Sequence, residues 1–168
     1  AIDPLNSNTL WVGTGEANNR NSVSWGNGIY KSIDGGKTFE NKGLQSTQQI
    51  SRVLVNPKNS DDVCVCAIGH LWGYSGDRGL FRTKDGGKTW NKLSSGLPTG
   101  DVGRIGLAVS SVNPDYVYAI VEAANDGSGF YRTTNRGASW EKMSDYKNVS
   151  AQYYSEIFCD PIDLNKVY

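Results

Sequence analysis

Four carboxylates lie in polar segments that follow apolar runs, and their residue type is the one best suited to catalysis in this chain. They are Glu16, Asp77, Glu122 and Asp126. Hydrolysis of a glycosidic bond uses two carboxyl groups that face each other across the scissile bond. The spacing along the chain pairs none of the four with another, so the sequence assigns no catalytic residue.

The same segments carry cationic and aromatic side chains that could bind a ligand. They are Arg20, Trp25, His70, Trp72, Tyr74 and Arg78. His70 is the single histidine, and no serine or cysteine in a nucleophile motif accompanies it, so a catalytic triad is not supported. The run NDGSG at 125–129 lacks the alternating acids of a calcium loop. We therefore expect no metal and no cofactor.

The overall composition excludes several classes of partner. Lys plus Arg equals Asp plus Glu at 17 each, which argues against a basic face for nucleic acid. The longest apolar run, 63–68, is too short to cross a bilayer, so membrane insertion is not expected. The three cysteines, Cys64, Cys66 and Cys159, are interpreted as plain buried thiols.

An eight-residue motif occurs three times, at intervals of 51 and 50 residues. It reads SIDGGKTF at 32–39, TKDGGKTW at 83–90 and TTNRGASW at 133–140. Its hydroxyl, acidic or amide, glycine and aromatic positions are Ser32, Asp34, Gly36, Thr38 and Phe39, then Thr83, Asp85, Gly87, Thr89 and Trp90, then Thr133, Asn135, Gly137, Ser139 and Trp140. Because these types can bond to the backbone of their own turn, the motif predicts a structural corner. Arg136 replaces a glycine, which makes the third corner the least regular.

Each motif sits near the end of a longer repeat, and its closing aromatic residue begins one further strand. Upstream of the motif lie a strand ending in Lys or Arg, a variable loop, an apolar strand, a proline turn and, except in the first repeat, another apolar strand. No segment shows a helical apolar period, so the chain is expected to be all-β. Four strands at a period near fifty predict a β-propeller with four-stranded blades. We label the strands of a blade A to D.

The repeat boundaries predict an incomplete propeller segment of about three and a half blades. Blade one spans 1–43 with strands B to D, blade two 50–93 and blade three 104–143, and 154–168 begin a fourth. Open strand edges favour aggregation. We therefore expect the remaining blades to come from a longer chain of roughly 300–400 residues, or alternatively from a second copy.

The motif resembles the Asp box of sialidase-type and sortilin-type propellers. The wider runs WVGTGEANNRNSVSWGNGIYKSIDGGKTF and GHLWGYSGDRGLFRTKDGGKTW resemble bacterial, mostly secreted BNR-repeat or sortilin-like proteins labelled glycosyl hydrolases. This resemblance implies a secreted, periplasmic or cell-surface location. Arg20, Arg78 and Arg104 lack the Arg-Ile-Pro signature of a sialidase, and the catalytic Asp motifs of xyloglucan-cleaving propellers are not recognised in the sequence.

The repeats also separate scaffold from function, because features present in every copy are structural and features present once are candidates for function. The B–C loops vary most, and they share one face of a propeller with the D–A links between blades. The ten polar and aromatic residues named above all lie in or beside these loops. The alternative is that Trp25 and Trp72 cover the blade ends, while Arg20 and Arg78 bond to loop carbonyls.

Two functions remain open. The first is a non-catalytic binding or scaffold propeller, which recognises a protein or a glycan through the B–C loops, as the resemblance to sortilin-type receptors implies. The second is a carbohydrate-active enzyme, a hydrolase or lyase, with its carboxylates at the propeller mouth. We favour the first, because nothing in the sequence pairs the carboxylates.

Overall fold

The computed structural model describes residues 1–18, 22–70, 72–73, 75–146 and 156–168. Over these residues the chain forms three four-stranded sheets, and in each of them the strands lie in chain order. The strands are β1 (Ile2–Asp3), β2 (Asn6–Gly13), β3 (Ile29–Ser32), β4 (Glu40–Asn41), β5 (Ile50–Asn56), β6 (Asn59–Ala67), β7 (Gly79–Thr83), β8 (Asn91–Leu93), β9 (Val102–Val109), β10 (Val117–Ala123), β11 (Gly129–Thr133) and β12 (Glu141–Ser144). A short 3-10 helix spans Gln45–Thr47.

The chain divides into two compact units, Ala1–Lys92 and Leu93–Tyr168. The first unit holds the sheets β1–β4 and β5–β8, apart from the last residue of β8. The second holds the sheet β9–β12 and residues 156–168. Within the described chain, no helix is both long and apolar enough to span a membrane.

The core of the first unit forms because alternate residues of its strands point inward. On β6, Val63 and Val65 are fully buried, and they cluster with Trp11 of β2 and Ile29 of β3. Trp90 packs edge-on against Trp11 at 6.3 Å between ring centroids, the geometry that aromatic quadrupoles favour. Because Trp90 follows β7 and Trp11 lies on β2, this contact joins the two sheets of the unit.

A second, smaller core fastens residues 156–168 to the sheet of the second unit. Tyr118 stacks on Phe130 at 5.8 Å and clusters with the buried Ile157. The Tyr118 hydroxyl donates to the carbonyl of Leu164 at 2.5 Å. Tyr118 of β10 therefore contributes to the packing of this segment through both its ring and its hydroxyl.

The first two corner motifs bond to themselves in the same way. The hydroxyl of Thr83 donates to Asp85 Oδ1 at 2.7 Å and accepts from the backbone N–H of Gly87 at 2.9 Å. Asp85 Oδ1 also accepts from the N–H groups of Lys88 and Thr89, and its Oδ2 accepts from the Thr89 hydroxyl at 2.6 Å. Ser32, Asp34, Gly36 and Thr38 form the matching set in the first corner. These bonds confirm that the carboxylates serve their own turns.

The third corner departs from this pattern, as the sequence predicts. Asn135 replaces the carboxylate, and its amide donates to the Ser139 hydroxyl at 2.8 Å while its oxygen accepts from the Ser139 N–H. Arg136 adopts a φ of 59°, the left-handed region that its glycine counterparts occupy without strain. Its side chain pairs with Asp115 at 2.5 Å.

Every corner is tied to the beginning of strand B of its own sheet or, in the third sheet, to the turn just before it. The N–H donors are Gly35, Gly86 and Arg136, and the carbonyl acceptors are Asn8, Asp61 and Asp115 respectively. Because the bond recurs at the same motif position in all three sheets, the A–B and C–D turns lie at the same end of each sheet. The B–C loops therefore lie at the opposite end.

Three details bear on the expected organisation. The first sheet contains a fourth strand, the two-residue β1, where strands B to D were expected, and it pairs Ile2 with Leu10. Residues 154 and 155 lie outside the described chain, and the rest of the fourth repeat shows one isolated bridge between Cys159 and Val167. All three cysteines are free thiols, and Cys66 is buried as expected whereas Cys64 and Cys159 are half-buried. Desolvation raises the pKa of Cys64 to about 12, which disfavours the thiolate.

The self-bonded corners predict a specific sensitivity to acid. The Thr38 hydroxyl, followed by the Thr38 N–H and the Ser32 hydroxyl, lowers the pKa of Asp34 from 3.8 to about 2. The Thr89 hydroxyl likewise lowers the pKa of Asp85 well below its usual value. Because the folded-state pKa lies below the unfolded value, the stabilisation is complete above 3.8 and is lost as the pH falls through about 2. We expect the denaturation midpoint to fall over this range.

The D34N/D85N variant is the matched comparison, because Asn135 shows that an amide can hold the corner. Its denaturation midpoint should vary less with pH than that of the parent protein. The pKa of Asp160, lowered to about 2 by the Asp163 and Ile162 N–H groups, leaves the same residual acid dependence in both proteins. Identical pH profiles for parent and variant would contradict this role of the carboxylates.

Candidate functional site

The first unit presents a continuous surface at the end of its sheets opposite the corners. We call it the loop face, and it comprises the described parts of the B–C loop 14–28, the D–A link 42–49 and the B–C loop 68–78. The link lies between the two loops in sequence and bonds to both. The three segments therefore form one connected surface.

The loop 14–28 is closed on itself and attached to the link. The Thr14 hydroxyl donates to the Gly28 carbonyl at 2.7 Å and accepts from the Asn27 N–H at 2.8 Å. The N–H of Gly26 donates to the Gln48 carbonyl at 2.7 Å. A Cβ on Gly26 would lie 2.3 Å from the Thr14 carbonyl carbon, so glycine is required there. These contacts fix the backbone next to Trp25.

The loop 68–78 is attached to the same link. The N–H of Ile68 donates to the Gln49 carbonyl at 2.8 Å, and the Ser46 hydroxyl donates to Asp77 Oδ1 at 3.1 Å. Within the loop, the Arg78 guanidinium donates to the His70 carbonyl. Arg78 thus bonds to a loop carbonyl, which is the alternative to ligand binding that was given for this residue above.

The link adopts an unfavourable backbone conformation, which hydrogen bonds to the two neighbouring loops stabilise. Leu44 and Gln48 flank the 3-10 helix with φ values of 59° and 54°, which side-chain-bearing residues rarely adopt. The Gln49 side chain is fully buried, and neither atom of its amide has a hydrogen-bond partner. Such groups cost free energy, so the link depends on the bonds that it makes to the loops.

Two indole rings project from this surface into solvent. Trp25 is 74% exposed and Trp72 is 75% exposed, whereas Trp11 and Trp140 are buried. Neither ring is buried against the described part of the blades, in contrast to the alternative in which Trp25 and Trp72 cover the blade ends. Large apolar side chains exposed on a rim of polar residues mark an interaction surface.

The candidate carboxylates make local bonds. Glu16 Oε2 accepts from the Ser24 N–H at 3.4 Å, and Asp77 accepts from Ser46. Glu122 lies on β10 and not in a loop as expected, and it accepts from the Arg104 N–H at 3.0 Å. Asp126 lies in the following loop with a φ of 58°. Among the described residues, no cluster of His, Cys, Asp and Glu could hold a metal ion.

The structure thus brings six of the ten sequence candidates onto the loop face, namely Glu16, Trp25, His70, Trp72, Asp77 and Arg78. Of these, Arg78 bonds to the His70 carbonyl. Glu122 and Asp126 belong to the second unit. Arg20 and Tyr74 lie outside the described residues. Sequence reasoning missed Ser46 and Gln48, although the position of the D–A link on the same face was a signal that could have found them.

Comparison with known proteins matches the family described as Sortilin, neurotensin receptor 3 (Sortilin-Vps10) over residues 27–165. Among curated proteins, a xyloglucanase from a Paenibacillus species is 30% identical over 83% of this chain and 13% of its own. An oligoxyloglucan-reducing end-specific xyloglucanase from Emericella nidulans is 28% identical over 60% of this chain and 13% of its own. The chain therefore spans about an eighth of the length of these relatives.

Solved structures show the same fold. A GH74 enzyme from Niastella koreensis superposes with a TM-score of 0.66 at 18% identity, over 99% of this chain and 27% of that one. YCF48 from Cyanidioschyzon merolae gives a TM-score of 0.52 at 19% identity, over 90% of this chain and 37% of that one. The chain has the β-propeller fold with four-stranded blades, as the sequence predicts.

The exposure of the two indoles predicts a measurable property of the protein. Acrylamide quenching of tryptophan fluorescence should arise mainly from Trp25 and Trp72, because the rings of Trp11 and Trp140 are buried and that of Trp90 is half-buried. The W25F/W72F variant should lose most of the quenchable emission while keeping its circular dichroism spectrum. Undiminished quenching in this variant would show that the two rings are covered in solution.

Proposed function

Because this chain belongs to the Sortilin-Vps10 family, we propose that it forms blades of a non-catalytic binding propeller that recognises a glycan through its loop face. The observation that carries this proposal is the pair of exposed indoles, Trp25 and Trp72, on adjacent B–C loops. The other blades would belong to the same protein, as the greater length of the relatives supports.

The indole rings are suited to sugars for a physical reason. One face of a pyranose ring presents C–H groups, and these pack against the negative face of an aromatic ring. Around Trp25 and Trp72, the loop face offers hydroxyl and amide groups and the Glu16 carboxylate, which can bond to sugar hydroxyls. A shallow surface that combines flat apolar platforms with polar groups fits an uncharged polysaccharide better than it fits a compact apolar molecule.

The names of the relatives favour a glycan over a protein ligand. Both reported curated relatives are xyloglucanases, and one reported structural neighbour is a GH74 enzyme. We therefore take xyloglucan as the first ligand to test. A protein ligand becomes the better hypothesis if a range of plant polysaccharides fails to bind.

The contacts of the carboxylates favour binding over catalysis. Hydrolysis requires two carboxyl groups about 5–10 Å apart that are directed at one bond. Glu16 and Asp77 instead accept hydrogen bonds from Ser24 and Ser46 of their own surface, and Glu122 accepts one from the backbone of Arg104. Groups used in this way hold loops in place.

A carbohydrate-active enzyme is the second candidate, and the names of the xyloglucanase relatives favour it. In this case the catalytic pair would include Glu16 or Asp77 at the propeller mouth. Either function would place the protein where polysaccharides occur, so we propose a secreted, periplasmic or cell-surface location.

Removal of the indoles should weaken glycan binding. We expect W25A and W72A each to weaken the binding of polymeric xyloglucan about tenfold, or ~1.4 kcal/mol, because a central aromatic contact carries a large share of the affinity. Isothermal calorimetry or affinity electrophoresis on the whole protein measures this. The matched control is I33A, which removes a side chain of 73% exposure at the corner end and should bind normally. Normal binding by both tryptophan variants would refute the proposal.

The two candidate functions differ in the release of reducing ends. A binding propeller should release no reducing ends from xyloglucan or from other β-glucans, even at protein concentrations that saturate binding. If hydrolysis does occur and is lost in E16Q or D77N, which keep the shape of each side chain, the enzyme is the correct function. Since the D77N amide oxygen can still accept from Ser46, lost activity in that variant would mark a chemical and not a structural role.

A further inference from the structure

We infer that Ser46 and Asp77 are a positioning pair, which holds the two indole platforms of the loop face at a fixed separation so that one long glycan chain contacts both. The inference rests on the proposed function and assigns a role to two residues within the site. Asp77 is thereby a residue that orients the surface and does not itself contact the ligand.

The first step of the argument is the connectivity of the surface. The loop that carries Trp25 is bonded to the link because the Gly26 N–H donates a hydrogen bond to the Gln48 carbonyl. The loop that carries Trp72 is bonded to the link through Asp77, whose Oδ1 accepts a hydrogen bond from the Ser46 hydroxyl. One connection between the two platforms therefore runs through residues 46–48, and the Ser46–Asp77 bond is a side-chain contact within it.

The second step is the cost of the link conformation. Gln48 has a φ of 54° and a ψ of −38°, outside the regions that side-chain-bearing residues favour, and the neighbouring Gln49 buries an amide without partners. A segment with these costs relaxes when its external bonds are removed. The Ser46–Asp77 bond opposes that relaxation, and the carbonyl of Gln48 is the point at which relaxation would reach Gly26 and Trp25.

The third step is the consequence for binding. When one platform holds a long chain, the second contact is intramolecular, and its strength depends on how often the second platform is correctly placed. A short oligosaccharide contacts one platform and does not sense the separation. Loss of the positioning pair should therefore weaken polymer binding and leave the binding of a short ligand nearly unchanged.

The main experiment measures this dependence on ligand length. Xyloglucan polymer and a single-repeat xyloglucan oligosaccharide are titrated against the whole protein and its S46A, D77A and D77N variants. We expect S46A and D77A to weaken polymer binding about fivefold, with a change below about twofold for the oligosaccharide. D77N should bind like the parent, because its amide oxygen still accepts from Ser46. The control is D61A, which removes an exposed carboxylate at the corner end.

A second measurement needs no ligand. In protein labelled with 5-fluorotryptophan, the fluorine resonances of Trp25 and Trp72 are assigned by the W25F and W72F variants. D77A should shift or broaden both resonances, because the link transmits the change to the Trp25 loop, and D77N should restore both. A purely local role of Asp77 would alter the Trp72 resonance alone.

Each outcome decides for or against the inference. Selective loss of polymer binding, or a change at both indoles that D77N reverses, supports the positioning pair. Equal loss for both ligands, no loss, or a D77N variant that behaves like D77A overturns it, the last because it indicates direct contact through charge. If W25A and W72A bind xyloglucan normally, the proposed function fails separately, and the fluorine spectra still test the pair.

Discussion

The hydrogen bond between a corner hydroxyl and its neighbouring acceptor is the interaction on which the rest of the structure depends. In each corner one hydroxyl both donates to Oδ1 of the residue two positions later and accepts a backbone N–H four positions later. Because these bonds close within eight residues, the turn between strands C and D satisfies its own polar groups. The corner aromatic is then free to pack against other parts of the unit, as Trp90 does against Trp11.

This constraint also decides where function can reside. In the three described sheets the corner is bonded at or just before the beginning of strand B, at one end of the sheet, which leaves the other end free to vary. In the first unit that free end carries two exposed indoles and a strained link between their loops. The surface combines a rigid base with a few exposed groups, which is the arrangement expected of a recognition site.

The hydrogen bonds of the carboxylates distinguish two structural roles that the amino-acid composition alone does not distinguish. The carboxylates of Asp34 and Asp85 are used entirely by their own turns, although acidic residues in a repeat could be mistaken for catalytic ones. Asp77 accepts from Ser46 across a boundary between loops. Distance along the chain does not distinguish these cases. The difference lies in whether the donor belongs to the same turn or to another segment.

The sequence by itself determined the all-β class, the four-stranded repeat and the corners, because each of these depends on residues close together in the chain. Even the irregular third corner could be predicted, since Arg136 occupies a glycine position. Only the tertiary structure decided that Trp25 and Trp72 are exposed, that Arg78 bonds to a loop carbonyl and that Ser46 meets Asp77. The exposure of a side chain and a contact across 31 residues depend on how separate segments pack, and local sequence does not encode that packing.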